Sequence, residues 1–203
     1  MKKNVCLSLV IALVLLVFAC SGGTSISIKT IEWEPDGSGF RQFKTNNPGY
    51  TDTTFWYYTD SSYQDPMTTV ETEVVKISGS ASGGMGIMFC FQDHDNFYVF
   101  VCDIDGYYAV YERWSGSWWE IIDWLYSADL NTGYNVLNTL KVSYEDSTDT
   151  FTLYANGNVV DTFTDSDFSG GSSGYECHIS GTEKFPVIPA DFRFKQLLPG
   201  TDP

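Results

Sequence analysis

Histidine is nearly absent, with two in 203 residues. Little is left for imidazole acid–base chemistry or for a histidine-rich metal site. Cysteine is sparse: there are five, and none stand in C-x-x-C spacing, so the chain carries neither a zinc knuckle nor a thioredoxin-type motif. Positive charge is scarce too, with 11 Lys+Arg against 26 Asp+Glu and a formal net charge of −15. Lys2 and Lys3 both lie at the extreme N-terminus, so the rest of the chain is more acidic still. That sign argues against nucleic acid and against anionic membrane surfaces as partners. No stretch sustains a 3.6-residue apolar period, which speaks against long amphipathic helices. Aromatics are plentiful at 16%, too many for a disordered chain despite the acidity.

The N-terminus reads as an export signal. Lys2 and Lys3 form a positive start, and Val5 to Phe18 is almost wholly apolar but too short to span a bilayer as a helix. Val17-Phe18-Ala19-Cys20, followed by Ser21-Gly22-Gly23, resembles the lipobox of bacterial lipoproteins. The resemblance implies cleavage before Cys20 and a lipid on its sulfur. Residues 1–19 are then a signal peptide and 20–29 a lipidated cysteine with a flexible tether. Ser21 is not the aspartate associated with inner-membrane retention, which directs the expectation to the outer membrane. Phe18 is bulkier than the residue usual at its position. With Cys6 cleaved off and Cys20 lipidated, Cys90, Cys102 and Cys177 remain, enough for one bridge at most.

The remainder is punctuated every 8–12 residues by turn residues, with β-branched and aromatic residues between, the pattern of an all-β sandwich. Met85 to Phe91, Phe97 to Ile104, Tyr107 to Trp114 and Trp118 to Leu125 read as four consecutive strands of an antiparallel meander. Their turns are His94-Asp95, Asp105-Gly106 and Ser115-Gly116. Two-residue turns there would set Phe91 against Tyr98, Phe89 against Phe100 and Cys102 against Ala109. Cys90 and Cys102 would then lie on opposite faces, unbonded to each other. Further strands are expected at Ile26 to Glu32, Phe55 to Tyr58, Thr68 to Ile77, Leu137 to Tyr144, Phe151 to Tyr154, Val159 to Phe163, Tyr175 to Ile179 and Ala190 to Lys195. Gly79 to Gly84 and Ser169 to Gly174 read as loops, and Asn156-Gly157 as a hairpin turn.

An ordered set of segments is similar to bacterial domains of the concanavalin A-like lectin/glucanase superfamily, including laminin-G-like domains. The segments are Gly86-Ile-Met-Phe89, Gln92-Asp-His-Asp-Asn-Phe-Tyr98, Asp105-Gly-Tyr-Tyr108, Trp119 and Trp124, Asn135 to Val142, Leu153-Tyr-Ala-Asn-Gly157, Asp167-Phe-Ser-Gly170, Gly174-Tyr175 and Asp191-Phe-Arg-Phe194. The resemblance implies an all-β, two-sheet antiparallel jelly-roll sandwich over residues 30–198, with 199–203 as a tail. It does not imply one function, because the superfamily holds lectins, hydrolases and adhesion modules.

The glucanases of that superfamily carry an E-x-D-x-x-E strand, which this sequence lacks. Glu120 and Asp123, three apart, should point to opposite faces of a strand, and Glu71 and Glu73 read as solvent-facing acids. Gly170 to Gly174 matches G-x-S-x-G as text, but no helix is expected after Ser172, so it is read as a loop. Asp93, Asp95 and Asn96, and separately Asp161, Asp165 and Asp167, have oxygens suited to calcium. Turn chemistry is the preferred reading of both groups, and no metal site is assigned. The rings are the strongest candidates for binding, since indole and phenol faces stack on the C–H faces of sugars. Trp114, Trp118, Trp119 and Tyr108 are the candidate ligand-binding residues.

These features describe a non-catalytic, lipid-anchored module of the bacterial cell envelope, with a glycan or another envelope component as partner and no cofactor. A glycoside-active enzyme with an unrecognised carboxylate pair, and an adhesion lipoprotein that binds protein, are the alternatives. The anchor is directly testable: Cys20→Ala is expected to abolish incorporation of a labelled fatty acid, and normal labelling of that variant would refute the lipobox.

Overall fold

The computed structural model describes residues 34–35, 40–44, 53–79, 81, 83–179, 191–195 and 198–199, with side chains at 63–79, 81, 83–178 and 194. The signal peptide, Cys20, the tether and the strand expected at Ile26 to Glu32 lie outside these residues.

The described residues form fourteen strands and no helix. In chain order they are β1 (Glu34–Pro35), β2 (Phe40–Lys44), β3 (Thr53–Gln64), β4 (Thr69–Ser78), β5 (Met85–Asp93), β6 (Asn96–Cys102), β7 (Tyr107–Trp114), β8 (Ser117–Tyr126), β9 (Leu137–Glu145), β10 (Thr150–Ala155), β11 (Asn158–Thr164), β12 (Gly171–Ile179), β13 (Asp191–Lys195) and β14 (Leu198–Pro199). One sheet has the order β1-β2-β13-β4-β9-β10-β11, with β14 also on β4; the other has the order β3-β12-β5-β6-β7-β8. Every pairing is antiparallel. The architecture is the two-sheet antiparallel jelly-roll sandwich expected.

The two sheets differ in how their residues alternate. Along β9 and β10, buried and less buried residues strictly alternate, so that sheet keeps one face on the core and one toward water. In β5 and β6 nearly every residue is buried, because both faces of this sheet are covered. The main core lies between the sheets and gathers Ile87, Phe89, Tyr98, Phe100, Val110, Leu140, Val142, Phe151 and Leu153. A smaller cluster of Met88, Phe91, Phe97, Val99, Val101 and Ala109 lies on the outer face of the six-stranded sheet, under Tyr111 and Trp124.

The meander forms as expected, but two of its registers differ. Asp93 pairs Asn96 across the His94-Asp95 turn, yet Phe89, not Phe91, then faces Tyr98. A bulge at Cys90, whose φ is +50°, takes up the extra residues and turns Phe91 to the outer cluster and Cys90 to the core. The next turn closes over three residues, Ile104 to Gly106, with Gly106 at φ +89°, so Cys102 faces Tyr108 rather than Ala109. Asp103 fixes this longer turn, its Oδ1 accepting the Asp105 and Tyr107 amides at 2.9 Å. Cys90 and Cys102 therefore share the core rather than opposite faces. Both are unbonded, as is Cys177, and burial pushes all three thiols up. The turns at Ser115-Gly116 and Asn156-Gly157 are two-residue turns with positive φ at both positions, as their sequences dictate.

Ser169 to Gly174 is not wholly a loop. From Gly171 the chain is strand β12, between β3 and β5. A Cβ on Gly171 would stand 2.6 Å from the Phe91 carbonyl oxygen, so glycine lets β12 approach the bulged part of β5. Ser172 is buried within this strand, which removes any resemblance to a nucleophile elbow.

Gly86 shows the same constraint at the centre of the meander, where a Cβ would run into the Phe100 carbonyl oxygen and lie 2.7 Å from the Val101 Cα. Gly86→Ala is expected to destabilise the domain by about 2 kcal/mol or more. Urea unfolding checks this, and an unchanged midpoint would contradict the close pairing of β5 and β6.

Candidate functional site

The exposed rings gather at the turn end of the β7–β8 hairpin. β8 is the edge strand of its sheet and is mostly exposed. Trp114 is 41% exposed, Trp118 40% and Trp119 60%. Alternation along β7 sends Tyr108, Val110, Glu112 and Trp114 to the inner side, toward the other sheet, and Tyr111 and Arg113 to the outer side. Each residue of β8 shares a side with its partner on β7. Trp119, opposite Glu112, is thus an inner residue, and Trp118, opposite Arg113, an outer one.

The inner side is a shelf at the rim of the sandwich. Trp114 stacks on Phe168 of the β11–β12 loop, with centroids 5.4 Å apart and planes 28° apart. Trp119 stands beside Glu112. Glu112, Asp165 and Asp167 converge there, each with a carboxylate oxygen within 4.8 Å of the others. Glu112 is 8% exposed. Burial, and then the negative charges of Asp165 and Asp167, push its carboxyl up to about 7. The Tyr98 hydroxyl ties the loop down by donating to Asp165 Oδ1 at 2.8 Å and accepting the Phe168 amide at 3.2 Å.

The outer side is built differently. The Trp118 ring stands edge-on to Phe97 at 5.6 Å and has the Arg113 guanidinium 5.2 Å from its centroid. Arg113 is held by its Nε donating to the His94 carbonyl at 2.9 Å and by Asp95 at 3.6 Å. Further along this face, Glu120 and Asp123 both raise the pKa of Tyr111, after the larger effect of its burial. Two register shifts in the β7–β8 ladder turn Ile121 and Ile122 both toward the core and bring these two acids to one face. The expectation that they point oppositely fails for that reason.

Of the four rings singled out in the sequence, the structure brings Trp114 and Trp119 together on the inner shelf and puts Trp118 on the other side of the same hairpin. Tyr108 is apart from all three. It is 4% exposed, and its hydroxyl donates to the Val160 carbonyl and to Asp161 Oδ2 at 3.2 and 3.1 Å across the core. The three-residue turn before β7 put it there, and it offers no ring face to a ligand. Both aspartate groups make turn hydrogen bonds: Asp93 Oδ1 accepts the Asp95 amide and Asn96 Nδ2, and Asp165 Oδ1 accepts the Asp167 amide. Glu71 is exposed and Glu73 half-buried, on the side of β4 away from its buried Thr72 and Val74. The sequence reading missed Glu112 and Phe168. Glu112 was visible as an acid in phase with Tyr108 and Val110, two apolar inward positions. Phe168 carried no such signal, because a loop ring meets its partner only in three dimensions.

No protein-family model and no curated protein matches the chain. Solved structures do. A carbohydrate binding module, CBM66 from Bacillus subtilis, is similar at 19% identity and a TM-score of 0.51, over 78% of this chain and 80% of that one. The potassium-bound carbohydrate recognition domain of Emp46p is similar at 15% identity and a TM-score of 0.52, over 82% and 91%. A native glycosidic hydrolase is similar at 10% identity and a TM-score of 0.53, over 82% and 80%. The fold is a lectin-type jelly roll. At these identities the likeness concerns the fold.

One further buried acid, Glu176, sits on the outer side of β12. It is 3% exposed, its Oε2 has no hydrogen-bond partner, and burial raises its carboxyl well above the ordinary value. The folded state therefore holds this proton more tightly than the unfolded chain. Its stabilising effect is full below the ordinary carboxylate pKa and is lost as the pH rises through the raised value. The melting temperature is expected to fall as the pH rises above the ordinary carboxylate range, and Glu176→Gln to lessen that fall. Melting curves for the variant that run parallel to wild type over that rise in pH would refute the assignment.

Proposed function

We propose that the chain is a glycan-binding module held at the bacterial cell envelope by a lipid on Cys20, in the outer membrane. The observation that carries the reading is the pair of exposed indoles, Trp114 and Trp119, on the inner shelf of the β7–β8 hairpin. Trp114 is held flat by Phe168, so it is ordered before a ligand arrives and little conformational entropy is lost on binding. The C–H face of a sugar stacks on such a ring, while neighbouring polar groups take its hydroxyls. Ser117, exposed and opposite Trp114, offers one such group. Two of the similar solved structures are carbohydrate-binding by their own descriptions, which favours this reading over an adhesion module for protein.

A second reading, a glycoside-active enzyme, draws on the Glu112 cluster, which gathers three acids and raises one of them. Against it, Glu112 Oε1 is shut off from solvent and could not protonate a leaving oxygen without moving. We therefore keep binding without catalysis.

Glycans that bind are expected to perturb tryptophan emission. Trp119→Ala should cost about 1–3 kcal/mol of affinity. Trp118→Ala and Tyr108→Phe should cost little, and affinity should change little with salt, since stacking carries no charge. An array on which no glycan is retained would overturn the proposal. Release of reducing sugar that Glu112→Gln abolishes would establish the enzyme instead.

A further inference from the structure

Asn156-Gly157 is the one Asn-Gly pair in the chain. An asparagine in that setting is chemically short-lived, because glycine leaves its own backbone nitrogen unhindered beside the side-chain amide. Nothing hinders that nitrogen here: Gly157 is exposed, and a Cβ built on it would meet no atom within 4 Å. The Asn156 side chain, by contrast, is clamped. Its Oδ1 accepts the Thr139 amide at 2.8 Å, and its Nδ2 donates to the Asp129 carbonyl at 2.6 Å and to Asn138 Oδ1 at 2.9 Å. Its backbone amide donates to the Thr139 carbonyl at 2.8 Å. Both carboxamide donors are thus used. Asn138 is held in turn. It is 1% exposed, its Oδ1 also accepts the Asn131 amide at 2.8 Å, and its Nδ2 donates to the Asn131 carbonyl at 2.9 Å. A flip of its amide would lose both of those bonds.

We propose that Asn156 is a latent deamidation site, shut while this clamp holds and unable to close again once it has reacted. The reaction needs only water. The Gly157 nitrogen loses its proton and bonds to Asn156 Cγ, the Cγ–Nδ2 bond breaks, and the nitrogen leaves as ammonia. The cyclic imide so formed takes up one water and opens to aspartate or isoaspartate. For the attack, Asn156 Cγ must turn toward its own following peptide, which breaks all three side-chain hydrogen bonds. In the folded protein the rate therefore follows the fraction of molecules that are locally open. The product does not fit the clamp. A carboxylate has no hydrogen to donate, so its oxygen would face the Asp129 carbonyl and Asn138 Oδ1, both acceptors. It would also add a charge near Asp129, whose Oδ1 accepts Asn158 Nδ2 at 2.9 Å. The clamp pins the connection between β8 and β9 to the β10–β11 turn, so its loss releases that connection. Deamidation here is one-way and sets a chemical limit on the life of the folded domain. The inference does not rest on glycan binding.

Peptide mapping by mass spectrometry tests this on the full chain in detergent, incubated at mildly alkaline pH, where the attacking amide loses its proton more readily. The readout is the mass gained at Asn156 as ammonia is replaced by water. Folded wild type should convert at least about tenfold more slowly than the same chain in urea. Asn138→Ala removes one arm of the clamp, and while its circular dichroism matches wild type it should convert several-fold faster without urea. Asn156→Asp, a stand-in for the product, should melt about 4 °C or more below wild type. Conversion of folded wild type at the rate seen in urea, or no conversion in urea at all, would overturn the proposal. So would a folded Asn138→Ala protein as durable as wild type, or an Asn156→Asp protein that melts with wild type. If Asn138→Ala does not fold, the comparison of folded with urea-unfolded wild type still decides.

Discussion

Tyr98 is the joint on which the rest of the domain depends. Its ring lies within 5.2–6.0 Å of Phe89, Phe151, Phe163 and Phe168, which come from β5, β10, β11 and the loop after β11. It thus bridges both sheets at once. Its hydroxyl, at the polar tip of the ring, holds the loop that carries Asp165, Asp167 and Phe168. A tyrosine meets both demands because it has a large apolar body and one polar tip. Burial and the Asp165 hydrogen bond raise its pKa, so the hydroxyl stays a donor at any ordinary pH. Packing at the centre of the sandwich and geometry at its rim are in this way set by one side chain.

The rim shows how an acidic chain tolerates its own charge. Most of its acids are spread over the surface, where water screens them. Glu112 and Glu176 are exceptions, Glu112 buried on the inner side of β7 beside apolar residues and Glu176 buried on the outer side of β12. Neither has a full set of hydrogen bonds, and each is pushed toward its neutral form by burial. Such groups work against stability, so the sheets around them must be well packed. Stacked and tilted pairs such as Phe151 with Phe163 at 4.8 Å and Tyr144 with Phe151 at 4.6 Å supply that packing.

The sequence was most legible where one local rule decides the outcome. Asn156-Gly157 and Ser115-Gly116 need positive φ at both positions, and their residue types deliver it, so those hairpins close as read. The alternation in β9 and β10 follows from one face meeting the core, and it stands plainly in Leu137 to Ala155. Legibility failed where a strand departs from strict two-residue periodicity. The bulge at Cys90 rests on a non-glycine residue with positive φ, and nothing in Phe89-Cys90-Phe91 marks it. It is held there by Gly171 of β12, some eighty residues later, which comes close against it. The three-residue turn before β7 moved Tyr108 from a candidate binding ring to a core ring.

By itself, therefore, the sequence determined that this is an all-β sandwich, which strands follow one another in the meander, and that three tryptophans cluster about one hairpin. Those properties come from turn chemistry and hydrophobic period, which act over a few residues. Which ring faces a ligand, which acid is buried and which loop meets which strand were decided only by tertiary structure. A single bulge or one extra turn residue exchanges the two faces of a strand, so orientation is fixed by contacts far apart in the chain. The meeting of Glu112 with Asp165 and Asp167, from segments more than fifty residues apart, is of that kind. It exists because Tyr98 draws the β11–β12 loop onto the end of β7.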